Sequence, residues 1–216
     1  MSNECENCGS PLKTGMLSFN EKLADVQIRI INAVGPAQLS TACNKCGDQL
    51  FADARMALQN ESAALKDTIR TVLPTLPIAS IHSPAGWEYD VIGIVTAQSV
   101  TGTGIFSDVA SAFTDLFGAQ SGTYNAKLRE GENLCATSLR AETLERGGNA
   151  IVAVDVDYAE VGGSRAMLMV CMTGTAIKLR NPDRIGPEFG MRTDAATGQA
   201  TRIRKIESLL SGFVGR

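Results

Sequence analysis

The chain has 216 residues, 44% of them apolar and 20% charged, with a formal net charge of −3. Those values belong to a folded globular protein with room for one ordinary domain and a small accessory one, and they exclude wholesale disorder. The acidic balance leaves no concentrated Lys/Arg surface for a phosphate backbone, so no nucleic-acid partner is expected.

The N-terminal run Met1-Ser2-Asn3-Glu4-Cys5-Glu6 has neither a basic n-region nor an apolar h-region, and nowhere does an apolar stretch reach the length of a membrane span. A cytoplasmic location is therefore expected, where paired thiols read as metal ligands rather than disulfides. The sequence contains one histidine, His82. A Ser-His-Asp or Cys-His unit would have to use it, and no nucleophile elbow lies nearby. The chain is not expected to be an enzyme.

Residues 1–50 carry two matched motifs, Cys5-Glu6-Asn7-Cys8-Gly9 and Cys43-Asn44-Lys45-Cys46-Gly47. Two residues between thiolates let both sulfurs of a tight turn point at one ion, and the glycine that follows lets backbone amides turn toward them. Together Cys5, Cys8, Cys43 and Cys46 predict a four-thiolate tetrahedral site for structural Zn2+, in a zinc-ribbon-like module. The 34 residues between the pairs exceed the usual spacing of roughly 15–20, which makes this a ribbon with a long insert. In that insert Val26, Ile28 and Ile30 alternate with polar residues as in a strand; a helix through Val34 fits as well. So small a module buries too little to fold alone, and metal ligation would supply the rest.

Residues 51–86 read as a helix over 51–71, with Met56, Leu58, Ala63, Ala64, Leu65, Ile69 and Val72 at three- and four-residue intervals, then a linker containing Pro74, Pro77 and Pro84. Residues 87–180 open with an apolar strand, Val91 to Ala97. A glycine loop, Gly102-Thr103-Gly104, precedes a helix over 105–117. A longer helix has Tyr124, Leu128, Gly131, Cys135, Leu139 and Glu142 along one face and stops at Gly147-Gly148. Strands over 150–158 and 166–179, joined by a tight turn, complete a hairpin. Residues 181–216 start with Pro182, Gly186, Pro187 and Gly190 and read as irregular, ending in a basic amphipathic helix formed by Ile203, Ile206, Leu209, Leu210 and Phe213 beside Arg202, Arg204 and Lys205. Such a helix can dock on protein or on an acidic membrane surface.

Several blocks in residues 89–179 resemble the YbjQ-like family, which is labelled heavy-metal-binding. They are Gly93-Ile94-Val95-Thr96 in the first strand, Ile105-Phe106 and Asp108 after Gly102, and Gly118, Ser121-Gly122, Tyr124 and Leu128 between the helices. Further on stand Gly147-Gly148-Asn149-Ala150-Ile151, Val154-Asp155-Val156-Asp157-Tyr158, and Met167-Leu168-Met169-Val170 with Gly174-Thr175-Ala176. The resemblance implies an α/β sandwich domain that assembles as a homo-oligomeric ring, typically a pentamer, with no established enzymatic activity. The sequence departs from the family's pattern at Ala97-Gln98, where a carboxylate is common, and at Ser107, Thr114 and Gln120, where basic residues are common. The whole chain is thus expected to be α+β: a zinc-ribbon-like head, a helical linker and a ring-forming body.

Other candidate sites are thinner. Asp155 and Asp157 share one strand face and, with Glu160, supply only three of the roughly six oxygen ligands a hard cation needs; the solvated side of a strand explains them. Gly102 to Gly104 before a helix could hold an anion or simply form a turn. Cys135 and Cys171 fit buried small hydrophobes, and Met167, Met169 and Met172 fit core or interface filling. The expected function is a non-enzymatic oligomeric scaffold whose zinc head meets a partner protein. A metal or small-ligand sensor using the body is the alternative, and a membrane-surface module using the terminal helix comes third.

Overall fold

The computed structural model describes residues 4–12, 20–36, 38–100, 124–161 and 167–214. Within them the helices are α1 (Asp25–Asn32), α2 (Asn44–Val72), α3 (Tyr124–Glu145) and α4 (Phe189–Val214), and the strands are β1 (Tyr89–Val100), β2 (Ala150–Val161) and β3 (Met167–Leu179). The chain divides into two compact units: residues 1–65 with 202–216, and residues 66–201. Both divisions fall inside helices, not in the proline-rich stretch. The Gly102–Gly104 loop, the helix expected over 105–117 and the turn after Val161 lie outside the described residues.

In the first unit the stretch of the insert left open between strand and helix is a helix, α1. Ile28, Ile30 and Ile31 are the buried residues of α1, a spacing that mixes i, i+2 and i, i+3 and suits a helix pressed into a core. Gln27 reaches back to accept from the Ala24 backbone amide at 3.0 Å, which satisfies one of the free N–H groups of the first turn. Asn32 ties the helix end to the segment leading toward Cys43, donating to Leu39 O at 2.8 Å and accepting from Leu39 N at 2.9 Å. The core of the unit gathers Leu23, Ile28, Ile30, Ile31, Phe51, Ala54 and Leu58 with Ile206 from the end of the chain.

The C-terminal residues of that unit belong to α4, which begins at Phe189, well before the helical stretch expected near Ile203. Pro182 and Gly190 mislead because they read as breakers. Gly190 is in fact needed in the helix, since a Cβ there would lie 2.8 Å from Pro182 Cγ. Ile203 and Ile206 are buried. Arg202 forks onto Glu61, with Nε 2.7 Å from Oε1 and Nη2 2.8 Å from Oε2. Ile206, with Leu210 packed beside it, joins the core of this unit. The fork holds the Glu61 carboxyl below its ordinary range, but both side chains are about a third exposed, so the pair is worth no more than about 1 kcal/mol.

The second unit is built on a three-stranded antiparallel sheet in the order β1-β3-β2. The expected hairpin is present, with Asp155 opposite Thr173 and Tyr158 opposite Val170. One sheet face carries Val95, Ala97, Val170, Met172, Ala176 and Ile151 against Cys135 and Leu139 of α3. The other buries Val152, Ile177 and Leu179 with Phe189. The proline-rich stretch is not merely a linker: Pro77 O accepts from Ile151 N at 3.0 Å, and Ala79 N donates to Ile151 O at 2.9 Å, so it runs beside β2 as a short parallel addition. On the outer edge of β1, Arg146 donates to Ile94 O at 2.9 Å and Thr96 N donates to Glu142 at 3.3 Å. One side chain of α3 and one just past its end thereby occupy groups a further strand would use.

A bulge between Val152 and Asp155 moves Val154 to the α3 side while Val152 packs on the opposite face. Ala153, within it, takes a left-handed φ of 53°. Gly174 stands opposite, and a Cβ there would lie 2.7 Å from Ile151 Cγ2 and 2.8 Å from Val154 Cγ2. Gly174→Ala is therefore expected to cost about 1–3 kcal/mol through overpacking, read as a lower denaturant midpoint with an unchanged slope.

Candidate metal centre

Each cysteine pair is placed by its own local structure, and the two structures differ. The first pair sits in a tight turn closed by Gly9 N donating to Cys5 O and Cys5 N to Ser10 O, both at 2.8 Å. Gly9 has φ of 70°, the positive φ that the motif predicts for glycine. The second pair does not form a matching knuckle. Cys43 precedes α2 and Cys46 lies in its first turn, with Gly47 N donating to Cys43 O at 2.7 Å. Gly47 is helical, and its lack of a side chain serves packing: a Cβ there would come within 2.4 Å of Leu23 Cδ1. The helix N-terminus adds free amides and a partial positive charge beside the second pair.

The two segments are then joined directly. Glu6 N donates to Thr41 O at 3.2 Å, and Thr41 Oγ1 to Glu4 O at 3.0 Å. The Glu6 carboxylate accepts from Ser40 N at 2.6 Å and Thr41 N at 3.4 Å, and also from the Ser40 hydroxyl. These bonds hold its pKa below the ordinary carboxylate value. Cys43 N donates to Cys5 Sγ at 3.2 Å. Leu23 N donates to Ala42 O at 2.9 Å and Asn44 N to Glu21 O at 2.8 Å, so the approach to α2 is fixed from both sides.

The outcome is a cluster of four sulfurs. Cys5 Sγ lies 3.5 Å from Cys46 Sγ, Cys8 Sγ 3.7 Å from Cys43 Sγ, and Cys43 Sγ 3.5 Å from Cys46 Sγ; all four lie within 4.8 Å of one another. These separations are far too long for disulfides. The three short ones are close to the edge of a tetrahedron with metal–sulfur bonds of about 2.3 Å, which is about 3.8 Å. The donor set therefore fits a thiophilic ion of tetrahedral preference. As free thiols the four are unequal. The hydroxyl and amide of Ser10 bring Cys8 down to about 6, whereas burial pushes Cys46 up to about 12. Burial also raises Cys5, but amides led by that of Cys43 outweigh it and leave the thiol lowered.

The remaining candidates stay apart from this cluster. Asp155 and Asp157 are exposed, on the solvated side of β2, and the side chain of Glu160 lies outside the described residues. Among the described residues the four N-terminal cysteines are the group of metal-type ligands that the fold brings together. Cys135 is buried on α3, its thiol pushed up to about 12 by that burial, and Met172 is in the same core. His82 is exposed, and its carbonyl accepts from the Tyr89 hydroxyl at 2.6 Å. No described helix is long and apolar enough to cross a membrane. Sequence reasoning missed Glu6 and Ser40 as supporting residues. Glu6, lying between the two ligands of the first pair, was the available signal.

Residues 78–180 match the sequence profile of a family described as "Putative heavy-metal-binding". A crystal structure of a protein of unknown function from Pediococcus pentosaceus, assigned to the DUF74 family, is also similar. It shares 18% sequence identity and covers 47% of this chain and 95% of that one, with a TM-score of 0.30.

Because Glu6 clamps the two ligand segments together without touching the sulfurs, Glu6→Ala should weaken metal retention about 10–100-fold, the usual effect of removing an outer-shell partner. Competition with a chromogenic chelator measures the shift. Secondary structure should be retained.

Proposed function

We propose that the chain, whose residues 78–180 resemble the YbjQ-like family, is a non-enzymatic, metal-dependent oligomeric scaffold. Its head, formed by the first unit, is held by one structural Zn2+ on Cys5, Cys8, Cys43 and Cys46. Its YbjQ-like body assembles the chains into a ring. The observation that carries the reading is the cluster of four sulfurs drawn from two segments of the chain, with three separations of 3.5–3.7 Å and all within 4.8 Å. Four thiols brought so close from distant positions have a physical purpose once a divalent cation sits among them.

Zinc is favoured over other ions because four thiolates with no open ligand position make a closed, structural type of site. Zinc is also redox-inert, which suits an ion that holds a fold together. Metal ligation of this type carries roughly 10–16 kcal/mol of apparent binding energy, large against the stability of a small unit. Apart from the metal cluster, the head presents exposed Val34 and Met56, side chains suited to a protein partner. Repetition of the head around a ring would turn weak single contacts into avidity.

Support for the ring comes from the family likeness and from the apolar side chains along β1, where Val91 is 67% and Ile94 68% exposed. The non-enzymatic reading rests on the sequence, in which His82 is the one histidine and no nucleophile elbow stands near it. A cytoplasmic setting, where thiols stay reduced, completes the proposal.

Native mass spectrometry of the full chain tests metal and assembly together. The expected spectrum shows a closed oligomer carrying one zinc per chain, with Cys43→Ser losing the zinc and Cys171→Ser keeping it. A monomer would remove the scaffold reading, and a metal-free chain from zinc-replete cells would remove the metal reading.

A further inference from the structure

The four sulfurs differ in their access to solvent. Cys5 and Cys43 are buried, Cys46 is half-buried and Cys8 is exposed. A small solute arriving from water therefore meets the Cys8 sulfur first. The Cys43 sulfur stands next to it at 3.7 Å, on the other ligand segment. A disulfide needs a sulfur separation of about 2.05 Å, so from 3.7 Å the two must approach by about 1.65 Å.

Resting on the metal reading above, we propose that Cys8 is an oxidation site for hydroperoxides and that Cys43 is the residue that resolves it, making the head a redox-released metal centre. In the first step the Cys8 thiolate attacks one oxygen of hydrogen peroxide. The S–O bond forms, the O–O bond breaks, and the departing hydroxide takes a proton to become water. In the second step the Cys43 thiolate attacks the Cys8 sulfenic sulfur. The S–S bond forms, the S–O bond breaks, and the second hydroxide is protonated to water. Two thiolates have lost two electrons, one peroxide has become two waters, and two protons have been consumed.

The product keeps only Cys5 and Cys46 as thiolate ligands. Two ligands do not make a closed tetrahedral site, so the ion is released. The effect extends beyond the sulfurs, because Cys43 shares an apolar cluster with Leu23, Leu58 and Ile206. Moving Cys43 out of that cluster loosens the packing on the last turns of the chain. Cys135, 1% exposed, is shielded from the same oxidant and serves as an internal control.

The test treats metal-loaded full chain with hydrogen peroxide, follows zinc with a chromogenic chelator, blocks remaining thiols by alkylation and maps the peptides by mass. The expected result is loss of the one bound zinc together with a Cys8–Cys43 cross-linked peptide, alkylatable Cys135, faster amide exchange over residues 203–212, and recovery after thiol reductant and zinc. Cys135→Ser should behave as the parent chain. Zinc released while Cys8 stays alkylatable, or a disulfide confined to Cys135 and Cys171, overturns the proposal. Loaded chain that keeps its zinc in excess peroxide also overturns it and leaves the metal reading standing. Chain that never holds zinc removes both. Cys8→Ser that still loads zinc should release it more slowly; if it does not load, the mapping of the parent chain decides.

Discussion

Four sulfur atoms converging from two distant segments are the constraint on which the head depends. Left as thiolates they would repel, and left as thiols they would fill a small core with weak hydrogen bonds. A divalent cation resolves both problems by neutralising two of the four charges and fixing four bond directions. The surrounding bonds serve that end: the Glu6 carboxylate on Ser40 and Thr41, the Cys43 amide on the Cys5 sulfur, and the first turn of α2 beside the second pair. The last turns of α4 belong to the same unit through Ile206 and the Arg202–Glu61 fork. The head is thus assembled from both ends of the sequence.

The second unit rests on a different principle. Its sheet is held by ordinary antiparallel pairing, and its shape is set by two register shifts, one between Val91 and Gly93 on β1 and one between Val152 and Asp155 on β2. Each lets a single strand pack apolar residues on one face early in its course and on the other face later. Val152 goes toward Phe189, while Val154 and Val156 go toward α3. A three-stranded sheet can bury both faces in this way while leaving Asp155 and Asp157 in water.

Legibility in the sequence depends on how local each constraint is. The Cys-x-x-Cys pairs were legible because metal ligation fixes residue type and spacing within a few positions. The hairpin and the Cys135–Leu139 face of α3 were legible because their periodicity runs over a dozen residues or more. The Asp25–Asn32 segment was ambiguous because a few apolar residues in so short a run satisfy both periods. Gly47 looked like Gly9, yet one is chosen by the crowding of Leu23 and the other by a positive φ. The start of α4 was hidden by Gly190 and by Thr193, Thr197 and Thr201, weak helix formers whose hydroxyls bond back to preceding carbonyls. No local pattern announces the bulge at Ala153, whose neighbours Ile151 and Val154 close over Gly174 on the adjacent strand.

The account turns on what surrounds the ion, and X-ray absorption at the metal edge of the purified full chain reads this directly. Four sulfur neighbours at about 2.3 Å, with no nitrogen or oxygen in the first shell, are the predicted result. A shell containing fewer than four sulfurs, or an ion bound through oxygen ligands elsewhere on the chain, would contradict it.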